Sequence, residues 1–270
     1  MLAVAILAGV VIGLSLGALG GGGSILTVPV LVYALGQRPQ EATTASLIIV
    51  GITAITAAVG HARAGRVQWR AAGIFGVLGV AASVGGSAVN RLVDPQVLLL
   101  AFAALMLVAA LAMFARTRSD ASDAPGEDED GGRPRGLRAA SRVVVTALVV
   151  GFLTGFLGVG GGFLVVPALV LAMGDAMPVA VGTSLVVISI TSLGAFIERL
   201  GSGSVPWAVV VPFTLAAIAG SLAGKRVADR ISGTSLTRAF AALLVAVAGY
   251  VAVRAGLGVW GPAGEGLPAR

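Results

Sequence analysis

The sequence predicts an all-α integral membrane protein: a polytopic helical bundle built from two pseudo-symmetric repeats, with about eight membrane segments. Three observations predict it. Charged residues make up only 11% of the 270-residue chain and mean hydropathy is +1.00, whereas a soluble domain carries about 25% charge. The charge is also segregated, leaving residues 42–60, 71–90, 143–174, 176–197 and 200–224 without a charged side chain. Each run matches or exceeds the roughly 17–25 residues of a membrane-spanning helix. A soluble helical core would need polar faces that these runs lack. The third observation is a glycine-rich stretch, "GALGGGGSILTVP", that returns as "GFLGVGGGFLVVP" 138 residues later.

Taken in order, the first repeat covers 1–115. It opens with a glycine-broken segment over 2–36, where Gly20, Gly21, Gly22 and Gly23 interrupt an apolar run. Each glycine is about 1 kcal/mol worse than alanine inside a helix, so the run breaks it, and Pro29 suits a kink shortly after. The opening "MLAVAILAG" has no basic n-region and reads as a retained membrane segment rather than a signal peptide. Three clean helices follow over 42–60, 71–90 and 95–115. Between the first two, "HARAGRVQWR" (61–70) is a short basic turn with Trp69 at the membrane interface.

Residues 116–141 carry no apolar periodicity and are rich in Gly, Pro, Asp and Glu, so they are expected to be a disordered linker. Its acidic run, Glu127–Asp130, reads as solvated. The second repeat, 142–256, has a broken segment over 142–174 and helices over 176–198, 205–224 and 234–254. A loose tail, 257–270, closes the chain.

The repeat is ungapped over about ninety residues. At the 138-residue offset Gly13, Gly17, Gly20, Gly22 and Gly23 meet Gly151, Gly155, Gly158, Gly160 and Gly161. Pro29 meets Pro167, Ser46 meets Ser184, Trp69 meets Trp207 and Phe102 meets Phe240. If each broken segment crosses the membrane once, the repeats are parallel; if each dips in and returns, they are inverted. The Lys and Arg residues divide twelve on the linker side to six in the parallel arrangement, and thirteen to five in the inverted one. Both place the linker in the cytoplasm and leave the orientation open.

Irregular backbone at membrane depth is tolerated only inside protein or beside a polar cavity. Two breaks at matching positions in two halves point to a transporter binding site. The helices restarting at Ser24 and Gly162 aim freed N–H groups and positive dipole ends at the breaks. Close packing through small residues is the competing reading of the same glycines. Neither run is followed by Lys-Ser/Thr, which excludes a P-loop, and the spacing excludes a dinucleotide fingerprint. Thr44, Ser46, Thr183 and Ser184, near the start of the following helix in each repeat, could donate to a bound oxyanion or bond back to helix carbonyls.

No acid lies inside a span; outside the linker the acids are Glu41, Asp94, Asp175, Glu198, Asp229 and Glu265, all near span ends. That argues against a carboxylate relay and leaves no cluster for acid–base or metal chemistry. Without cysteine there is no disulfide or thiolate site. No enzyme activity, cofactor, metal or nucleic-acid partner is expected. His61 reads as an interfacial capping residue, with gating or pH sensing as its alternative.

The duplicated Gly-rich-x-Pro segment, "ATTASL", "GTSL" and "HARAGRVQW" together resemble the TauE/SafE family of probable sulfite exporters, over nearly the whole chain outside linker and tail. The resemblance implies a plasma-membrane exporter of small sulfur-containing anions such as sulfite or sulfonates. The positions it carries over are Gly20, Gly22, Gly23, Pro29, Ser46 and His61, with Gly158, Gly160, Gly161, Pro167, Thr183 and Ser184. Arg199 stands where the first half has His61, so the equivalence fails there. The partners implied are a small anion and the lipid bilayer. A passive anion channel and a non-transporting structural subunit are the alternatives.

Overall fold

The computed structural model describes residues 2–122, 137–157, 162–198 and 205–256; among them there are ten helices and no strand. The first broken segment becomes α1 (Leu2–Leu19) and α2 (Gly22–Pro29), the latter continuing as a π-helical turn, Val30–Ala34. α3 (Pro39–Arg63), α4 (Trp69–Asn90) and α5 (Pro95–Ser122) complete the first half. The second half comprises α6 (Leu137–Leu157), α7 (Gly162–Ala172), α8 (Met177–Glu198), α9 (Trp207–Ala228) and α10 (Gly233–Gly256). Seven of these are long and apolar enough to cross a membrane, and Gly22–Ala34, Ser141–Leu157 and Gly162–Ala172 are shorter apolar helices.

The structure moves two expected boundaries. α5 runs on through Ser122 and α6 starts at Leu137, so both ends of the segment expected to be linker are helical, and only 123–136 lies outside the described residues. The basic turn also shrinks, to 64–68. There Gly65 has φ +70°, and the Ala64, Gly65 and Arg66 amides bond back to the last turn of α3.

The glycine break reverses the chain. Of the four glycines only Gly20 takes a positive φ, +70°, and its amide bonds the Leu16 carbonyl to close α1. A Cβ on Gly23 would lie 2.6 Å from the Ile12 carbonyl oxygen and 2.7 Å from Leu16 Cβ. An unbroken helix would hold residues 12 and 23 about 16 Å apart, so α2 folds back along α1. Pro29 then removes a helical donor and crowds the preceding turn, and the ladder widens to the π spacing, Leu35 N–H to Val30 O at 3.2 Å. Both short helices end in the same left-handed cap. Gly36 (φ +64°) precedes Gln37 N–H to Leu31 O, and Gly174 (φ +75°) precedes Asp175 N–H to Leu169 O.

α3 and α8, which correspond at the 138-residue offset, run in opposite directions and pack with Gly51 against Ser192 and His61 against Gly182. The first helix of each half docks on the third long helix of the other. A Cβ at Gly13 or Gly17 on α1 would overlap the carbonyls of Ala217 or Ser221 on α9. On α6, Gly151 and Gly155 lie in the same way against Gly79 and Ser83 of α4. Each member of one pair stands 138 residues from its counterpart in the other. In apolar surroundings such small-residue seams let backbones close up and gain dispersion contacts. The packing thus crosses the halves: one core cluster combines Ile12, Leu31 and Ile49 with Val210, Phe213 and Ala217 of α9.

A methyl added to this seam forces the helices apart, at a cost of about 1–3 kcal/mol for overpacking. Gly17→Ala and Gly155→Ala should therefore each lower the thermal unfolding midpoint of the purified protein. Gly73→Ala, whose Cβ would meet nothing within 4 Å, should not lower it. Equal midpoints for Gly17→Ala, Gly155→Ala and the parent would contradict the seam.

Candidate functional site

The structure brings the first break against the second half. A Cβ at Gly20 would come 2.6 Å from Ser184 Oγ and 3.3 Å from Val166 Cγ2, and one at Gly21 would overlap Gly162 and Phe163. One at Gly162 would come 3.1 Å from Ser24 Oγ, so the first turns of α2 and α7 touch. Gly22 faces Leu243 of α10. Gly158, Gly160, Gly161 and Arg199 lie outside the described residues. Pro29 and Pro167 both sit within short helices, α2 and α7.

The hydroxyls singled out from sequence mostly bond their own helix. Ser24 donates to Gly21 O (2.7 Å), Ser46 to Thr43 O (2.8 Å), Ser184 to Val181 O (2.8 Å) and Thr44 to Gln40 O (3.2 Å). Thr183 Oγ1 instead accepts the Gln68 N–H (3.1 Å). Ser24, Thr183 and Ser184 gather near the first break. Thr44 and Ser46 do not: α3 and α8 are antiparallel, so the two sit at the opposite end of the bundle.

His61 is buried and caps a neighbouring helix. It is 1% exposed, and its Nε2 lies 3.1 Å from Gly17 O at the end of α1. The Nε2–H donor thereby satisfies one of the carbonyls that a helix end leaves orphaned. At the end of α6 the same task falls to Asn90, whose Nδ2 donates to Phe156 O at 2.6 Å.

A cavity of about 240 Å³ lies between α3, α4, α6, α7 and α8. Six hydroxyl residues line it: Thr43, Ser83, Ser87, Thr154, Thr191 and Ser192. None of the described lining residues is charged. Thr43, Ser87 and Thr154 lie within about a turn of their helix ends and mark the mouth; Phe75 lines the deep end. Twelve residues of α4 separate Ser87 from Phe75, about 18 Å at 1.5 Å per residue. The cavity borders the second break, because Thr154 and Gly155 belong to the last turn of α6 and Val165 to the start of α7.

None of the residues singled out from sequence lines this cavity. Two of its hydroxyl positions, Ser83 and Thr191, keep a hydroxyl at the 138-residue offset, Ser221 and Thr53. At the offset positions of the other half Leu16, Ala54 and Val181, all fully buried, stand for Thr154, Ser192 and Thr43, and Lys225 stands for Ser87.

The opposite end of the bundle, where the linker attaches, is drawn together by polar contacts between halves. Gln68 Nε2 donates to Asp175 Oδ1 (2.6 Å), next to the Gln68–Thr183 bond. Arg66 pairs with Asp229, which also accepts from Lys225 Nζ (2.6 Å). The Lys225 hydrogen bond first, and Arg66 after it, hold the Asp229 carboxyl below the usual carboxylate range. Without them, a carboxylate just beyond the C-terminal end of α9 would oppose the helix dipole.

A hydroxyl-lined, uncharged cavity can donate hydrogen bonds to a desolvated oxyanion, and it holds no group for acid–base chemistry. Among the described residues no cluster of His, Cys, Asp or Glu could hold a metal. The profile of the family described as sulfite exporter TauE/SafE matches residues 5–251. A probable membrane transporter protein of Xylella fastidiosa is 36% identical over 253 residues, covering 93% of this chain and 94% of that protein. The probable membrane transporter protein YunE of Bacillus subtilis is 27% identical, covering 85% of this chain and 89% of its own. A probable membrane transporter protein of Methanocaldococcus jannaschii is 26% identical, covering 86% and 88%. No solved structure matches the chain. With a profile match that runs from α1 to α10, the chain belongs to the TauE/SafE sulfite exporter family.

Proposed function

We propose that this membrane transporter is a secondary exporter of small sulfur-containing anions such as sulfite or sulfonates, and that the hydroxyl-lined cavity is its substrate path. The observation that carries the reading is the contrast between the two ends. Six hydroxyl residues line a cavity whose mouth borders the second break and which runs about 18 Å inward to Phe75, while polar contacts between the halves close the other end. The family description supports the anion class, and the relatives' names support membrane transport.

Stripping water from an oxyanion is prohibitive unless donors replace it. In this reading Thr154 and Ser192 supply side-chain donors, Thr191 adds one by turning its hydroxyl from the Ile188 carbonyl, 3.2 Å away, and the start of α7 adds backbone N–H groups and a positive helix end. The glycine segments Gly20–Ser24 and Gly158–Gly162 let backbone approach the anion. The antiparallel α3 and α8 favour inverted repeats, each broken segment dipping in and returning. Thirteen Lys and Arg residues then fall on the linker side against five opposite, which makes the linker cytoplasmic in the plasma membrane. The cavity faces outward.

The closed end suits a gate because its ion pairs are weak. Arg66, Asp229 and Lys225 side chains are 30%, 32% and 20% exposed, and such pairs are worth about 0–1 kcal/mol each. A bound anion can offset that. Asp229 holds its charge through the physiological range. Its folded pKa is depressed, so its stabilising contribution is present above the unfolded carboxylate pKa of about 3.9 and is lost as pH falls through the folded value.

Proteoliposomes of the purified protein should take up sulfite saturably in a panel that includes sulfonates, sulfate and chloride. Thr154→Val and Thr191→Val should each weaken apparent affinity about tenfold or more, the loss of one hydrogen bond to a charged group. A parent protein that moves none of these anions would refute the reading. A single cysteine at Ser83 in this cysteine-free chain should react with a membrane-impermeant thiol reagent from outside intact cells; reaction only from the cytoplasmic side would reverse the orientation. The thermal stability difference between parent and Asp229→Asn should hold steady from pH 8 to 5 and shrink below about pH 4. A difference that grows on acidification would contradict the depressed pKa.

A further inference from the structure

A second cavity, about 420 Å³, opens on the outer face of the bundle between α3, the start of α4 and α8. Its walls are Ile55, Val59 and Ala62 of α3 with Val186 and Ile190 of α8. Ile55 and Val59 are 53% and 45% exposed although they lie within a candidate membrane span. Among the described residues between those walls the one polar side chain, Ser189, donates its hydroxyl to Leu185 O at 2.8 Å. Arg63, in the last turn of α3, and Trp69, which opens α4 and is 64% exposed, stand at its linker-side end. The tight turn at Gly65 folds the chain back and puts both at one mouth.

We propose that this groove holds an acyl chain of an anionic phospholipid from the linker-side leaflet, with the lipid phosphate at Arg63. Three features fix that occupant. The groove runs from Arg63 to Ile55, eight residues or about 12 Å, close to the roughly 15 Å that one leaflet contributes to a 30 Å hydrocarbon core. Its mouth pairs an arginine with a tryptophan, the combination that sits at headgroup level, and no acidic residue lines it. It also lies at the end richest in Lys and Arg, where a negative headgroup is complementary. Guanidinium takes phosphate in a bidentate fork, so the headgroup is selected by charge and the tail by the apolar walls. A zwitterionic lipid offers the same tail with no net charge.

The test is native mass spectrometry of the purified full chain after equilibration with equal amounts of phosphatidylglycerol and phosphatidylcholine of identical acyl chains. The parent should retain phosphatidylglycerol over phosphatidylcholine by about fivefold, the ratio equivalent to the roughly 1 kcal/mol gained per basic residue near an anionic surface. Arg63→Gln should abolish the headgroup preference while still retaining lipid. Val59→Trp, at an exposed wall position that tolerates bulk, should lower retention of both lipids; helical circular dichroism and elution volume verify folding for each variant. Arg91→Gln, at the other end of the bundle, should keep the preference. Equal retention of the two lipids by the parent would overturn the proposal, as would an Arg91→Gln loss as large as that of Arg63→Gln. A switch from dimer to monomer in Val59→Trp with lipid retention unchanged would assign the groove to a second copy of the chain instead.

Discussion

The architecture depends on one constraint: a backbone that breaks its helix at membrane depth must find a partner for every polar group it frees. The described residues beside each break supply such partners. Gly20 returns its amide to Leu16, Ser24 bonds the Gly21 carbonyl, and His61 reaches the Gly17 carbonyl from the far end of α3. In the second half Asn90 of α4 reaches the Phe156 carbonyl. Both capping side chains come from the first half, His61 on α3 and Asn90 on α4, so the chemistry of the cap is repeated although its residue is not. His61 is therefore a structural donor first, and any role it has in gating would act through the end of α1.

The second organising force is the small-residue seam. Lipid gives helices no hydrophobic reason to associate, so van der Waals contact must do it, and contact is greatest where glycine lets carbonyl meet carbon. Gly13 and Gly17 bind α1 to α9, and Gly151 and Gly155 bind α6 to α4. Because each seam joins one half to the other, the packing units do not coincide with the sequence repeats. α9 belongs to the core built around α1 and α3, and the hydroxyl cavity lies where α3 faces α4, α6 and α8. A boundary drawn at the linker separates the two copies of the sequence repeat but cuts through the helix pairs that pack together.

Much of the fold was legible because the signals were local. Glycine runs, Pro29 and Pro167, the paired tryptophans and the charge-free stretches act within a few residues of themselves, and helix boundaries follow to within a few positions. The helical ends of the linker were hidden because their charge and low hydropathy disguise the continuation of α5 past Arg116. Repeat direction was hidden for another reason. Thirteen to five and twelve to six are nearly the same charge bias, and the antiparallel contacts of α3 with α8, Gly51 with Ser192 and His61 with Gly182, lie beyond any local signal. The partner of His61 was hidden because a lone polar residue near a span end reads as solvated. Nothing local to "HARAG" says that α1 ends beside it.

The cavity escaped for a more instructive reason. Duplication directs attention to what two halves share, and the glycine breaks, Ser46 and Ser184 were selected that way. Of the six cavity hydroxyls only Ser83 and Thr191 have hydroxyl counterparts, Ser221 and Thr53; Thr43, Ser87, Thr154 and Ser192 face Val181, Lys225, Leu16 and Ala54 across the offset. Shared residues build the scaffold, because the caps and seams that satisfy broken backbone are needed twice. The polar lining is needed wherever solvent and solute enter, and the two ends of a transporter need not present the same surface. Leu16 and Val181 are wholly buried at the end held by Arg66, Asp229 and Lys225, so opening that end would expose apolar walls and one lysine rather than a row of hydroxyls. On the proposed export direction, an anion would meet the cationic, weakly solvating end first and the hydroxyl-rich end last. In a duplicated membrane chain, the positions at which the copies disagree inside charge-free spans are therefore where the chemistry of the path is to be sought.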